Sequence, residues 1–260
     1  MKLSELNSFK VKDEKITCLT AYDASFAKLF DDCGVDAILV GDSLGNVIQG
    51  SENTLGVTMG DMIYHTQAVA KSVKSALLIA DMPYRSYDNA EQTLKNAQSL
   101  MSAGAQMVKF EGGAEHAASF KILQENSIPV CGHLGLQPQS VIEMGGYKVQ
   151  GRDESSAQKI LDDALLLESL GVSVLVLECV PAQLAAKISK HLTIPTIGIG
   201  AGVNCDGQVL VSYDMLGINT GRVPKFVKNF LIESNNITTA VNEFIRSVKT
   251  QEFPTDQHSY

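Results

Sequence analysis

The segment MVKFEGG, residues 107–113, sets Lys109 and Glu111 two positions apart in an otherwise apolar run. Alternate residues of a β-strand point to one face, so a strand here turns both charges into the same space. Burying them is costly unless other groups offset the lost hydration. Comparable positions recur along the chain. Asp42 and Ser43 follow AILVG, Asp81 ends LLIAD, His133 lies in PVCGHLG, and Glu178 ends VLVLE. Carboxylates gathered from several such run ends repel one another, and a hard cation removes that repulsion. Mg²⁺ favours an octahedron of oxygens and keeps water or substrate oxygens within it. Asp42, Asp81 and Glu111 are therefore candidate ligands, directly or through water. Lys109 then faces an anionic substrate group or a developing oxyanion. It stands roughly 7 Å along the strand from Glu111, room for an ion against one and a small substrate against the other. A Schiff-base role for Lys109 is disfavoured beside a metal that can itself polarise a carbonyl. His133, between Gly132 and Gly135, is either a core histidine or a substrate donor. His65 and His191 fall in helical segments and read as structural.

These residues need a frame that brings run ends together. Eight short apolar runs recur: ITCLTAYD, AILVGDS, LLIADMP, MVKFEGG, PVCGHLG, VLVLECV, PTIGIGAG and QVLVSYD. Runs apolar on both faces are typical of parallel strands covered by helices. The segments between most of them read as helices. Thr58 and Asp61 make a capping-box variant ahead of Met62, Val69, Ala70 and Val73 on one face. Ile160, Ala164 and Leu167 share a face that stops at Gly171, and Pro181 suits a first helical turn. Repeated strand–helix units over this length predict an α/β fold, a (β/α)8 barrel spanning residues 1–260 as one domain. A doubly wound open sheet is the alternative. Too few residues separate GIGAG from QVLVSYD for a crossover helix, so either the seventh or eighth unit is irregular or the eighth strand is misassigned. GIGAG itself reads as a phosphate cradle or as close backbone packing. MGGYKVQGR, residues 144–152, reads as a mobile loop whose Lys148 and Arg152 either meet an anion or are solvated. A short N-terminal extension precedes the barrel, and the polar tail TQEFPTDQHSY is expected to be loosely held.

The formal net charge of −8 argues against nucleic-acid or anionic-membrane partners. No apolar run approaches the roughly 20 residues of a membrane span, and the N-terminus lacks a signal-peptide core. Five scattered cysteines without a C-x-x-C fit reduced thiols in a cytoplasmic protein.

Taken in order, VGDSLG, TLGVTMGDMIYHTQAV, ADMPYRSY, MVKFEGG, PVCGHLGLQPQSV, GGYKVQGR, VLECVPAQLA, IGIGAG and DGQVLVSYDMLGI closely resemble the ketopantoate (3-methyl-2-oxobutanoate) hydroxymethyltransferase family. The resemblance runs from about Lys15 to Phe230. It implies a magnesium-dependent barrel of the phosphoenolpyruvate/pyruvate superfamily. Such an enzyme transfers a hydroxymethyl group from 5,10-methylenetetrahydrofolate to 3-methyl-2-oxobutanoate through a magnesium-bound enolate, the first step toward pantothenate and coenzyme A. In the family's pattern Asp42, Asp81 and Glu111 hold the metal, Ser43 and Lys109 contact the oxoacid together with the metal-bound Asp42 and Asp81, and Glu178 is the general base. His133 joins them as a candidate substrate contact. A carboxylate beside a cation is a weak base, so Glu178 is expected away from the metal in a less polar setting that raises its pKa. The resemblance also implies a homodecamer, a pentamer of dimers. Rival readings are another metal-enolate lyase or mutase, a phosphosugar isomerase using GIGAG, and an inactive scaffold barrel.

Overall fold

Strands β1 (Ile16–Thr20), β2 (Ala37–Val40), β3 (Leu77–Asp81), β4 (Met107–Glu111), β5 (Val130–Gly135), β6 (Val174–Glu178), β7 (Thr196–Ile199) and β8 (Gly207–Leu210) are parallel and hydrogen-bond in sequence order. Pairing of β8 back onto β1 closes the sheet, which excludes the open doubly wound alternative. This computed structural model describes residues 3–218 and 223–260.

Ten helices lie among the described residues: α1 (Leu3–Val11), α2 (Ala24–Cys33), α3 (Leu44–Val47), α4 (Met59–Ala70), α5 (Ala90–Ser102), α6 (Ala117–Glu125), α7 (Glu154–Ser169), α8 (Ala182–His191), α9 (Ser212–Met215) and α10 (Ile237–Lys249). The capping box at α4 forms as its sequence suggests, with Thr58 and Asp61 each bonding the other's backbone N–H. Met62 and Val69 of that helix are buried, as are Ile160, Ala164 and Leu167 of α7. Pro181 sits one residue before α8, at the cap position. Asp31 near the end of α2 accepts the backbone N–H groups of Lys74, Ser75 and Ala76, tying that helix to the start of β3.

The seventh unit is the irregular one, and the eighth strand is real. Residues 200–206 join β7 to β8 without a helix, and the SYD of QVLVSYD opens α9. The N-terminal extension is the helix α1. Its Lys10 ammonium donates to the carbonyls of Ser189 and Ile194 and to Asp206, covering the barrel end where β7 and β8 begin.

The C-terminal tail departs from expectation. Phe253 is buried, its ring 5.3 Å from that of Phe230 and 6.2 Å from that of Phe244. Residues Asp256–His258 form a 3-10 turn, and the carbonyl of Tyr260 accepts the backbone N–H of Ala182 at 2.7 Å. Lys225 donates to the carbonyl of Ser259. A polar composition says nothing of one aromatic anchor, and burial of that ring plus backbone pairing onto α8 hold the tail.

Candidate active site

Register explains how the charged residues meet. Asp81 of β3 lies beside Lys109 of β4, and Glu111 of β4 lies beside His133 of β5. Glu178 of β6 pairs with Gly135, two positions beyond His133 and so on the same face. Lys109, Glu111, Asp81, Asp42 and His133 are all buried. Ser43, just past β2, is partly exposed and its hydroxyl lies 2.9 Å from that of buried Tyr22. Gly41 ahead of it leaves room in the mouth, since a Cβ there would stand 2.7 Å from Ser43 Oγ and 3.5 Å from Asp81 Oδ2.

One half of the mouth is a carboxylate centre. Lys109 Nζ donates to Asp81 Oδ1 at 2.7 Å, and the Asp42 backbone N–H donates to Asp81 Oδ2 at 3.0 Å. Burial works against the Lys109 charge, but Asp81, Asp42 and Glu111 outweigh it and raise its pKa. Asp42 lacks such a cation of its own. Burial, and then repulsion from Asp81 and Glu111, push its carboxyl up to about 7. The other half is Glu178, whose Oε2 lies 3.2 Å from His133 Nε2, while His133 Nδ1 faces Glu111 Oε1 at 3.6 Å. Burial and Lys109 both disfavour a charged imidazole, yet Glu111 and Glu178 carry the pKa up to about 9. Neither ring nitrogen makes a well-directed hydrogen bond within the chain. Both contacts are charge proximity between buried groups. The expectation of a less polar setting for Glu178 is not met, because the register puts an imidazole against it.

Ketopantoate hydroxymethyltransferase is the family whose model matches residues 1–256. The chain belongs to that family. It is 70% identical over 260 residues to the 3-methyl-2-oxobutanoate hydroxymethyltransferase of Ruthia magnifica subsp. Calyptogena magnifica, covering all of both chains. It is 65% identical over 260 residues, again covering all of both, to the enzyme of that name from Vesicomyosocius okutanii subsp. Calyptogena okutanii. Among solved structures, phosphonopyruvate hydrolase complexed with oxalate and Mg²⁺ superposes with a TM-score of 0.63 at 14% identity, over 81% of each chain. A 2,3-dimethylmalate lyase, a PEP mutase/isocitrate lyase superfamily member, superposes with a TM-score of 0.60 at 15% identity, over 83% of this chain and 82% of that one. These two likenesses show the shared fold.

In this family member, the trio Asp42, Asp81 and Glu111 is brought to one mouth but does not close on a single point. Among the described residues no three Asp, Glu, His or Cys side chains form a ready cage. The donor set nonetheless fits a hard divalent cation. It is all oxygen, it is crowded with negative charge, and it leaves positions for water or substrate oxygens.

Sequence reasoning missed four contributors. Gln139, in the 3-10 turn Pro138–Ser140, bonds both Asp42 and Glu111, and Tyr87 bonds Gln139. Tyr22 holds Ser43. Cys179, directly after Glu178, adopts φ +47, a left-handed conformation uncommon outside glycine. Its carbonyl accepts the Gln150 backbone N–H at 3.0 Å, tying the 144–152 loop to the strand of Glu178. The spelling GLQPQS held Gln139 in plain view, but a neutral amide after a strand carries no signal of its own. The GIGAG glycines serve packing. A Cβ at Gly198 would meet Cys205 Sγ at 2.9 Å, and one at Gly202 would meet the Ala182 Cβ at 2.6 Å. His65 is structural, its Nδ1 2.6 Å from the Tyr22 carbonyl, and His191 contacts the Lys187 carbonyl.

Proposed function

We propose that the chain transfers a hydroxymethyl group from 5,10-methylenetetrahydrofolate to 3-methyl-2-oxobutanoate, giving 2-dehydropantoate and tetrahydrofolate with uptake of one water. The observation that carries this reading is the division of the mouth. A hydrogen-bonded carboxylate centre occupies β2–β4, and a carboxylate with an imidazole beside it stands on β6. Asp42, Asp81 and Glu111 would hold one Mg²⁺ per chain, which would supply Lewis acidity to polarise the oxoacid's ketone and acidify the proton on C3.

The side chains do the rest. Ser43, steadied by Tyr22, and Lys109 bind the oxoacid's carboxylate end, where Lys109 shares its charge with Asp81. Glu178 takes the C3 proton. His133 lies against Glu178 Oε2, where its charge stabilises the ionised carboxylate, while its second nitrogen faces Glu111. The electron pair left on C3 forms the new C–C bond to the folate's methylene carbon as one of that carbon's two C–N bonds breaks, the freed nitrogen taking up the proton removed from C3. Water then displaces the second nitrogen, its oxygen completing the hydroxymethyl group and its proton passing to that nitrogen to release tetrahydrofolate. Backbone closure through Gln150 keeps the 144–152 loop beside the base, limiting solvent entry. The reading includes a cytoplasmic enzyme and a homodecamer, the latter checked by the mass in light scattering. Among the described residues no helix is long and apolar enough to cross a membrane.

The test is loss of the C3 proton of 3-methyl-2-oxobutanoate in D₂O, followed by NMR with Mg²⁺ or with EDTA, and without folate. Metal-dependent exchange supports the proton-abstraction step, and added methylenetetrahydrofolate then converts exchange into product. A lyase or mutase would show no folate-dependent product. Absence of exchange, even with folate present, would overturn the assignment.

A further inference from the structure

Gln139 is buried, and every polar group it presents to the mouth is engaged. Its backbone N–H donates to Glu111 Oε2 at 3.0 Å. Its side-chain amide donates to Asp42 Oδ2 at 2.8 Å and to the Met82 carbonyl at 3.0 Å. Its amide oxygen accepts the Tyr87 hydroxyl at 2.6 Å. The orientation of the amide is determined by these partners. Turned over, its oxygen would face two acceptors, Asp42 Oδ2 and the Met82 carbonyl, which have no proton to give. Tyr87 is itself buried, its ring tilted against that of Phe110 with centroids 4.9 Å apart, so its hydroxyl is delivered from a packed ring. One residue thus joins the ends of β2, β3 and β4 to the segment that follows β5.

The consequence concerns how the carboxylates present themselves. Gln139 takes Asp42 Oδ2 and Glu111 Oε2, leaving Oδ1 of the first and Oε1 of the second unclaimed by it. The neutral side-chain amide stabilises Asp42, and the backbone N–H Glu111, without bringing a positive charge that would compete with a cation. A lysine or arginine in that place would neutralise the centre outright.

We infer that Gln139, fixed by Tyr87, is a positioning residue that orients Asp42 for a divalent cation. The inference rests on the cation site of the proposed function. Its action is through Asp42, and no contact of Gln139 with substrate is required.

The experiment is Mn²⁺ and Mg²⁺ titration calorimetry on the full-length, EDTA-treated protein, with urea denaturation of the same samples in EDTA. The variants are Gln139→Met, which keeps the volume and the backbone N–H, and Tyr87→Phe, which keeps the ring. Wild type is expected to take up one cation per chain. Gln139→Met should weaken that binding by about 10–100-fold, as loss of a partner behind a ligand does elsewhere. Tyr87→Phe should weaken it by about 2–10-fold, the equivalent of one neutral hydrogen bond. Lower urea stability with unchanged cation affinity in a folded variant would make Gln139 merely structural and overturn the inference. If wild type itself takes up no cation, the cation site of the proposed function falls, and this inference with it. Should Gln139→Met fail to fold, wild-type affinity in Tyr87→Phe would overturn the inference by itself.

Discussion

Asp42→Asn should make the metal-free protein more stable while destroying its function. Asp42 is buried against Asp81 and Glu111, and its carboxyl is raised from 3.8 to about 7. A folded pKa above the unfolded one means that the fold disfavours the ionised form. Stability therefore falls as pH climbs past the unfolded value and levels off above the folded one. At about 1.4 kcal/mol per pH unit, the full rise costs the folded state about 4 kcal/mol, as an upper bound. Near pH 5 the cost is only about 1–2 kcal/mol, because the folded carboxyl keeps its proton and the unfolded one is only partly favoured. Asparagine is isosteric and can still accept the Gln139 amide, so the substitution removes charge with little loss of packing. Urea denaturation of EDTA-treated proteins at equal chain concentration reads the effect. The variant should exceed wild type by about 4 kcal/mol near pH 8.5 and by about 1–2 near pH 5. Excess Mg²⁺ at about 100 times its dissociation constant should add about 2.7 kcal/mol to wild type and nothing to the variant. A variant less stable than wild type near pH 8.5, or a difference that ignores pH, would refute the claim that Asp42 carries uncompensated charge.

Other outcomes follow from the same contacts. Glu178→Gln should slow C3 proton exchange by about 10²–10⁴-fold with cation affinity unchanged in calorimetry, and near-normal exchange would remove Glu178 as the base. Asp31→Ala frees three backbone N–H donors at the start of β3 and should cost about 2–3 kcal/mol in urea denaturation near neutral pH. Although burial opposes it, those three hydrogen bonds lower the Asp31 pKa. Its contribution is thus present above the unfolded value and is lost as pH falls through the folded one, so an acid-independent difference would contradict the assignment. Phe253→Ala should cost about 3–5 kcal/mol and lower the melting temperature, whereas an unchanged melt would mean that the tail is loosely held after all.

Much of the frame was legible because its causes are local. Apolar runs of strand length, the Thr58–Asp61 box and the stop at Gly171 are short-range chemistry, and each appears where the spelling puts it. The period of two likewise places Lys109 and Glu111 on one face without knowledge of the barrel. The run-end residues Asp42, Ser43, Asp81, His133 and Glu178 were visible for the same reason, since a parallel barrel collects strand C-termini at one mouth. Partners across the mouth were not legible. That Lys109 binds Asp81, that His133 rather than an apolar wall meets Glu178, and that Gln139 joins Asp42 to Glu111 depend on register and closure between segments far apart in sequence. The tail and the GIGAG loop follow the same division. Their composition allows either of two readings, and the choice lies with Phe253 in its aromatic cluster and with Cys205 and Ala182 against the glycines. Sequence by itself determined the elements and which ionisable groups stand at their ends, because backbone periodicity and capping act within a few residues. Tertiary structure alone decided which charge faces which, because that is set by distances of a few ångströms between strands that no spacing along the chain encodes.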